Sequence, residues 1–277
     1  MKHHVSVGRA GQKYNHTVRA DIFNSTLEVP DGRNPNQNAW LTITINYTLR
    51  FADTKSQGAG IVFRDSDGYH AKDSDDKKIP IKDWDLKSQI DFNHRFLQAE
   101  SFWNHKFLLV TPKTYDGLDF TSMGGNGWLC RPNVICLFRL NSGGSPNHLP
   151  LTVVRAEKFY RSNALVYTES DVKNKTVAHE LGHALDQLHI KALLGDQKCL
   201  IDNINADDCY DTPAGMEPNI MGRGTGLLPL NAKAWKELIG LHTGVNSTEW
   251  QVSMATSTPP RKLQLGFQVR GVMPAQW

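Results

Sequence analysis

Nowhere in its 277 residues does the sequence carry an apolar run approaching the roughly 20 residues that a membrane-spanning helix needs. Stretches such as Phe107 to Val110 are among the longest, and no transmembrane helix is expected. The opening MKHHVSVGRAGQKYNHTVRADIF lacks the apolar core of a signal peptide, so any export follows a route not visible in this chain. Charge of one sign is lacking too. With 31 Lys and Arg against 28 Asp and Glu the net charge is +3, and the two signs are interleaved, which argues against a nucleic-acid or membrane-surface role. No internal repeat and no low-complexity segment is found. Cysteine is scarce: the four fall into two local pairs, Cys130 with Cys136 and Cys199 with Cys209. Neither spacing is that of a structural zinc site, whose ligands usually stand two to about four residues apart. An even count in local pairs instead favours two disulfides over free thiols, with three connectivities open, and an extracytoplasmic or secreted protein.

What is present is a globular composition. Apolar residues make up 39% of the chain, enough for one large core or two modest lobes. Trp40 to Phe51 alternates apolar with polar and reads as a half-buried strand. The glycine- and acid-rich stretch that follows, to about Lys78, reads as loop with a short strand at Ile61 to Phe63. Asp83 to Trp103 places Trp84, Leu86, Ile90, Phe92, Phe96, Leu97 and Phe102 closer to helical spacing than to alternation and predicts a helix packed on a sheet. Further strands are expected at Phe107 to Thr111, Val134 to Leu140, Leu151 to Ala156 and Ala164 to Thr168. After His189, Asn231 precedes the amphipathic AKAWKELIGLH, predicting a helix with an Asn N-cap and a stop at Gly244. The pattern is α+β, divided as residues 1–189, 190–245 and a tail 246–277 with short strands. Five Asn-x-Ser/Thr sequons begin at Asn15, Asn24, Asn46, Asn174 and Asn246, of which an Asn-rich chain gathers some by chance.

Chemistry concentrates in Val177 to Ile190, VAHELGHALDQLHI. On a helix, positions i and i+4 lie about 40° apart around the axis, so His179 and His183 can address one metal ion. Glu180, beside the first of them, can reach a metal-activated water instead of the metal. Three imidazole donors would leave a zinc coordination position open for chemistry. A continuous helix cannot supply His189 as the third, because it would lie roughly 80° off that face and about 15 Å from His179 along the axis. The helix must break between His183 and His189, and Asp186 is the candidate for the break, since Asp enters the left-handed region more readily than most residues.

HELGHALDQLH resembles the metzincin signature HExxHxxGxxH, with Asp186 in the glycine position. Downstream, PNIMG at 218–222 looks like the family's Met-turn, with Met221 the matching methionine. The resemblance implies a zinc-dependent endopeptidase acting on a protein or peptide substrate, with His179, His183 and His189 as ligands and Glu180 as general base. It implies a metzincin-like catalytic domain, a twisted mixed sheet with backing and active-site helices above the cleft and a smaller, mainly helical C-terminal lobe, and a substrate-binding edge strand for which Ala164 to Thr168 is the candidate. Some metzincins place an oxyanion-stabilising tyrosine two residues beyond the methionine, where this chain has Arg223; Arg223, Tyr210 and Tyr167 are the candidates for that role.

Alternatives stay open: an exported effector that hydrolyses cell-wall peptides, and a zinc-binding module without turnover. The loop from Cys199 to Asp211 holds Asp202, Asn203, Asn205, Asp207, Asp208 and Asp211, oxygens enough for a Ca2+ ion. It lacks the glycine and closing glutamate of an EF-hand, which favours a solvated acidic loop. No feature of the sequence sets an oligomeric state.

Overall fold

A computed structural model of the chain describes residues 13–16, 23–29, 38–54, 62–66, 68–73, 76–115, 117–118, 120–121, 128–130, 133–158, 160, 162, 166–173, 175–201, 207–216, 218–255 and 272–274. The first strands are β1 (Lys13–His16), β2 (Asn24–Glu28), β3 (Ala39–Ala52), β4 (Val62–Asp65), β5 (Gly68–Lys72) and β6 (Lys78–Lys82). Helix α1 (Leu86–Trp103) leads to β7 (Phe107–Val110), β8 (Phe120–Thr121), β9 (Trp128–Cys130), β10 (Val134–Ser142), β11 (Leu149–Ala156) and β12 (Val166–Thr168). Then come α2 (Thr176–Ala184), α3 (Ile190–Leu193), α4 (Gln197–Ile201), α5 (Lys233–Thr243), β13 (Gln251–Met254) and β14 (Val272–Pro274). No described helix is long and apolar enough to cross a membrane.

The chain forms two compact units, each discontinuous in sequence. One comprises 1–44, 103–139 and 227–277, the other 45–102 and 140–226, so no join falls at residue 189 or 245. Sequence-distant strands pair with one another, and contacts therefore ignore chain order. In the first unit the strand order is β13-β7-β10-β3-β2-β1, with β1, β2, β7 and β13 each paired antiparallel to a neighbour, and β8, β9 and β14 form a separate antiparallel sheet. The alternation of β3 is visible as burial: Leu41 and Ile43 are fully enclosed while Trp40 is exposed. Helix α5 sends Trp235 against Trp103 and Phe107, at ring separations of 6.5 and 5.6 Å, and its indole N–H donates to the Leu137 carbonyl at 3.0 Å. Helix α5 ends at Gly244, whose φ of 73° is the left-handed conformation glycine adopts without cost. Asn231 is not its N-cap. A 3-10 turn at Pro229–Ala232 intervenes, and the buried Asn231 side chain accepts the Leu228 backbone N–H at 2.8 Å.

The second unit is a mixed sheet: β11 lies parallel to β3 and β12 and antiparallel to β6, and β6, β5 and β4 continue as antiparallel neighbours. The class is α+β. The β5 and β6 strands lie in and beyond the stretch read as loop. The carboxylate of Asp73 accepts the Lys77 backbone N–H and Asp76 takes φ 61°, so the acids build a tight hairpin turn between the buried Ala71 and Ile79. Helix α1 buries Phe92 and Phe96 against Phe51, Tyr47 and Tyr167. Its other apolar residues Leu86, Ile90 and Leu97 are exposed, because they lie on a different stripe of the helix from Phe92, Phe96 and Trp103.

Asn46 is the polar member buried within β3. Its backbone N–H donates to His148 Nδ1 and its carbonyl accepts the His148 N–H, both at 2.9 Å. Its side chain donates to the Pro146 carbonyl and accepts from Asn141, also at 2.9 Å. His148 Nδ1 must be unprotonated to accept, and burial holds this imidazole below its ordinary pKa. The unfolded chain then takes up the proton before the folded one as pH falls, so stability is lost below about pH 6.5. His148→Asn keeps an acceptor and removes the titration. In urea unfolding between about pH 5 and about pH 7 we expect a shallower loss of stability on acidification for this variant than for the wild type.

Candidate metal centre

All residues of the site lie in the second unit. Helix α2 buries Val177, Ala178, Leu181 and Gly182 on one face, which leaves His179, Glu180 and His183 half-buried on the other. The helix ends in two backbone bonds: Asp186 N–H donates to the His183 carbonyl at 2.9 Å and Gln187 N–H to the Gly182 carbonyl at 3.0 Å. This is a Schellman ending, which needs a left-handed residue at the first position past the cap. Asp186 occupies it with φ 60°. The chain then runs extended through His189, at φ −59° and ψ 155°, before Ile190 opens α3.

The break brings the three imidazoles together. Their candidate ligand nitrogens lie within 4.8 Å of one another. Ring centroids are 4.9 Å apart for His179 and His183, 4.8 Å for His183 and His189, and 5.5 Å for His179 and His189. Two rings are oriented by main-chain acceptors: His179 Nδ1 bonds the Ile220 carbonyl at 2.6 Å and His183 Nδ1 the Gln187 carbonyl at 2.8 Å. A carbonyl only accepts, so Nδ1 carries the proton in both and Nε2 is the nitrogen with a free lone pair. Burial, with His183 adding to it, lowers the His179 pKa to about 4, and burial lowers that of His183 as well. Both rings are therefore neutral at pH 7, as metal ligation requires. A cluster of imidazole donors that leaves coordination positions free suits zinc.

The turn that carries Met221 is bonded directly to this helix pair. Besides Ile220, whose carbonyl meets His179, the Met221 carbonyl accepts the Ile190 N–H at 2.9 Å, and the Met221 side chain is fully buried. Asn219 shapes the turn, its Oδ1 accepting the Met221 N–H at 2.9 Å. Gly222 is required by close approach: a Cβ there would collide with the Tyr210 carbonyl oxygen and stand 2.8 Å from Ile190 Cγ2. Tyr210 itself lies over His189, with ring centroids 3.8 Å apart.

Glu180 has its pKa raised to about 7, first by burial and then by the neighbouring Asp171 carboxylate. Asp171 is itself raised by burial and is held by Ser162 and by the backbone and hydroxyl of Thr168. Tyr167 is fully buried, packed on Phe96 and close enough to Glu180 to feel its charge, which lifts its phenol further above a value already raised by burial.

Among the sequence candidates, His179, His183, His189 and Tyr210 thus converge, with Asp186 making the break, the Met221 turn bonded to the helix pair and Glu180 next to His179 in α2. Tyr167 stands inside the core beside Glu180, away from solvent. The Arg223 side chain turns to the 207–211 segment, donating to the Asp207 carbonyl at 3.2 Å and pairing with Asp211 at 3.3 Å. Cys199 and Cys209 form a disulfide. Cys136 does not: it is a buried free thiol, and the side chain of Cys130 lies outside the described residues. Of the acidic loop, 202–206 lies outside the described residues, and Asp208 pairs with Lys198 at 3.4 Å. Of the expected edge strand, 164–165 likewise lies outside them, while β12 pairs with β11. Sequence reasoning missed Asp171, and it missed the carbonyls of Gln187 and Ile220, which no side-chain pattern encodes. No known protein family, no curated protein and no solved structure matches the chain.

The left-handed Asp186 yields the test of this local geometry. Asp186→Gly should hold stability or raise it by about 1 kcal/mol, whereas Asp186→Val, branched where the backbone is crowded, should cost about 2 kcal/mol in urea unfolding of the metal-free protein. A Val variant as stable as the wild type would show that the turn is not required.

Proposed function

We propose that the chain is a zinc-dependent endopeptidase of metzincin type, with His179, His183 and His189 as ligands and Glu180 as general base. The observation that carries the reading is the convergence of three imidazoles across a broken helix, with half-buried Glu180 next in sequence to the first of them. The bond from His179 to the carbonyl preceding Met221 adds support, since it places a Met-bearing turn against the ligands. When bound, zinc supplies Lewis acidity toward a carbonyl oxygen and makes a water acidic enough to attack near neutral pH.

The protein's own residues do the rest. Gln187 and Ile220 fix the tautomers of two ligands, which leaves the lone pair of each on Nε2. Glu180, with a pKa near the working pH, takes a proton from the attacking water onto its carboxylate and returns it to the amine that leaves. A disulfide is the mark of an oxidising compartment, which supports reading the enzyme as one that works outside the cytoplasm.

Glu180→Gln is expected to keep zinc at one ion per chain and lose at least about a thousandfold in cleavage of a quenched peptide library, while His183→Ala loses both zinc and cleavage. Metal content measured on the same samples decides the matter: turnover in zinc-loaded Glu180→Gln protein would remove Glu180 from the mechanism. A zinc-loaded wild type inert on the library would leave a binding module.

A further inference from the structure

The second disulfide cysteine immediately precedes the tyrosine that covers the third ligand. We propose that Tyr210 is a positioning residue for His189 and that the Cys199–Cys209 disulfide holds it in place, so that retention of the metal by the triad depends on oxidation of this pair. The inference rests on the metal-centre reading above.

The three imidazoles are presented by different stretches of backbone. His179 and His183 sit on one helix and bond to backbone carbonyls. His189 stands in extended backbone beyond the break, and the Tyr210 ring lies against its imidazole at 3.8 Å. Tyr210 belongs to a single 3-10 turn, Asp207–Tyr210, too short to hold a conformation without outside ties. One tie is the bond from the Arg223 N–H to the Tyr210 carbonyl at 3.1 Å, which joins the turn to the Met221 segment. The Arg223 side-chain contacts to Asp207 and Asp211 are solvent-exposed and contribute little. The covalent tie is the disulfide. Both sulfurs are fully buried, and they pack with Ala192 of α3 and with Leu188, the neighbour of His189. The bond therefore fastens the tyrosine's segment to α4, and the bridged pair packs against the residue that precedes His189.

Reduction by a dithiol delivers two electrons and two protons, gives two thiols at Cys199 and Cys209, and leaves the reductant as a disulfide. The 3-10 turn then loses its covalent tie to α4, and the ring over His189 is held less firmly. In the opposite direction, a disulfide-bearing oxidant takes the two electrons when the chain reaches an oxidising compartment. Metal held weakly before export is held firmly after it.

The test is Zn2+ affinity by competition with a chromophoric chelator, on metal-free wild type, Tyr210→Ala, Tyr210→Phe and the double variant Cys199→Ser with Cys209→Ser, all checked for folding by circular dichroism. Loss of a group that orients a ligand weakens metal binding on the order of 10- to 100-fold. That loss is expected for Tyr210→Ala and for the double serine variant, with Tyr210→Phe near the wild type because the ring and not the hydroxyl does the positioning. The visible spectrum of the Co2+-loaded protein should change in the same two variants and in no other. Wild type that binds one Zn2+ while both variants bind within about twofold of it would overturn this inference and leave the metal centre standing, as would a Tyr210→Phe protein as weak as Tyr210→Ala. Wild type that binds no Zn2+ would overturn the metal-centre reading and this inference with it.

Discussion

Everything at the site depends on one backbone constraint: three imidazoles spaced four and six residues apart must meet at one point, and a straight helix cannot do this. The solution is to end the helix at Ala184 and turn the chain through a left-handed Asp186. Because the turn closes with main-chain bonds, it also aims the Gln187 carbonyl at His183. The interruption thus brings in the third imidazole and orients the second. A helix that ran on through residue 189 would lose both.

The sequence is most legible where function is local. His179, Glu180, His183, the need for a break and the fitness of Asp186 all follow from spacing and helix geometry. What is not legible is the backbone's share. Ile220 is forty-one residues from His179, and its contribution is a carbonyl that any residue could offer. The same limit applies to β5 and β6, where lysines and aspartates at the turn outweigh a short alternation of buried Ala71, Ile79 and Ile81. In α1 the apolar count is correct and the face is not, because two apolar stripes compete and only the one carrying Phe92 and Phe96 meets the aromatic cluster around Phe51.

The surroundings of Glu180 show how a carboxyl reaches a pKa near neutrality without a dedicated partner. Burial does most of the work and the Asp171 carboxylate adds to it. Asp171 can stay buried beside another acid because Thr168 and Ser162 surround it with donors. The 3-10 turn that begins at Asp171 lies between β12 and α2, so the strand end, the acid and the helix that carries His179 and His183 are set by one short connection.

The buried amide of Asn46 reaches beyond folding to manufacture. Its nitrogen is committed to Pro146 and its oxygen to Asn141 at 3% exposure, yet Asn46-Tyr47-Thr48 is an acceptor sequence for an N-linked glycan. A sugar can be attached only while the chain is still open, and once attached it occupies the space where the loop ending at His148 must close. A eukaryotic secretory host that modifies nascent chains therefore sets glycosylation in competition with closure of β3 against its neighbours. A bacterial periplasm, which oxidises cysteines without adding this sugar, lets the same strand close.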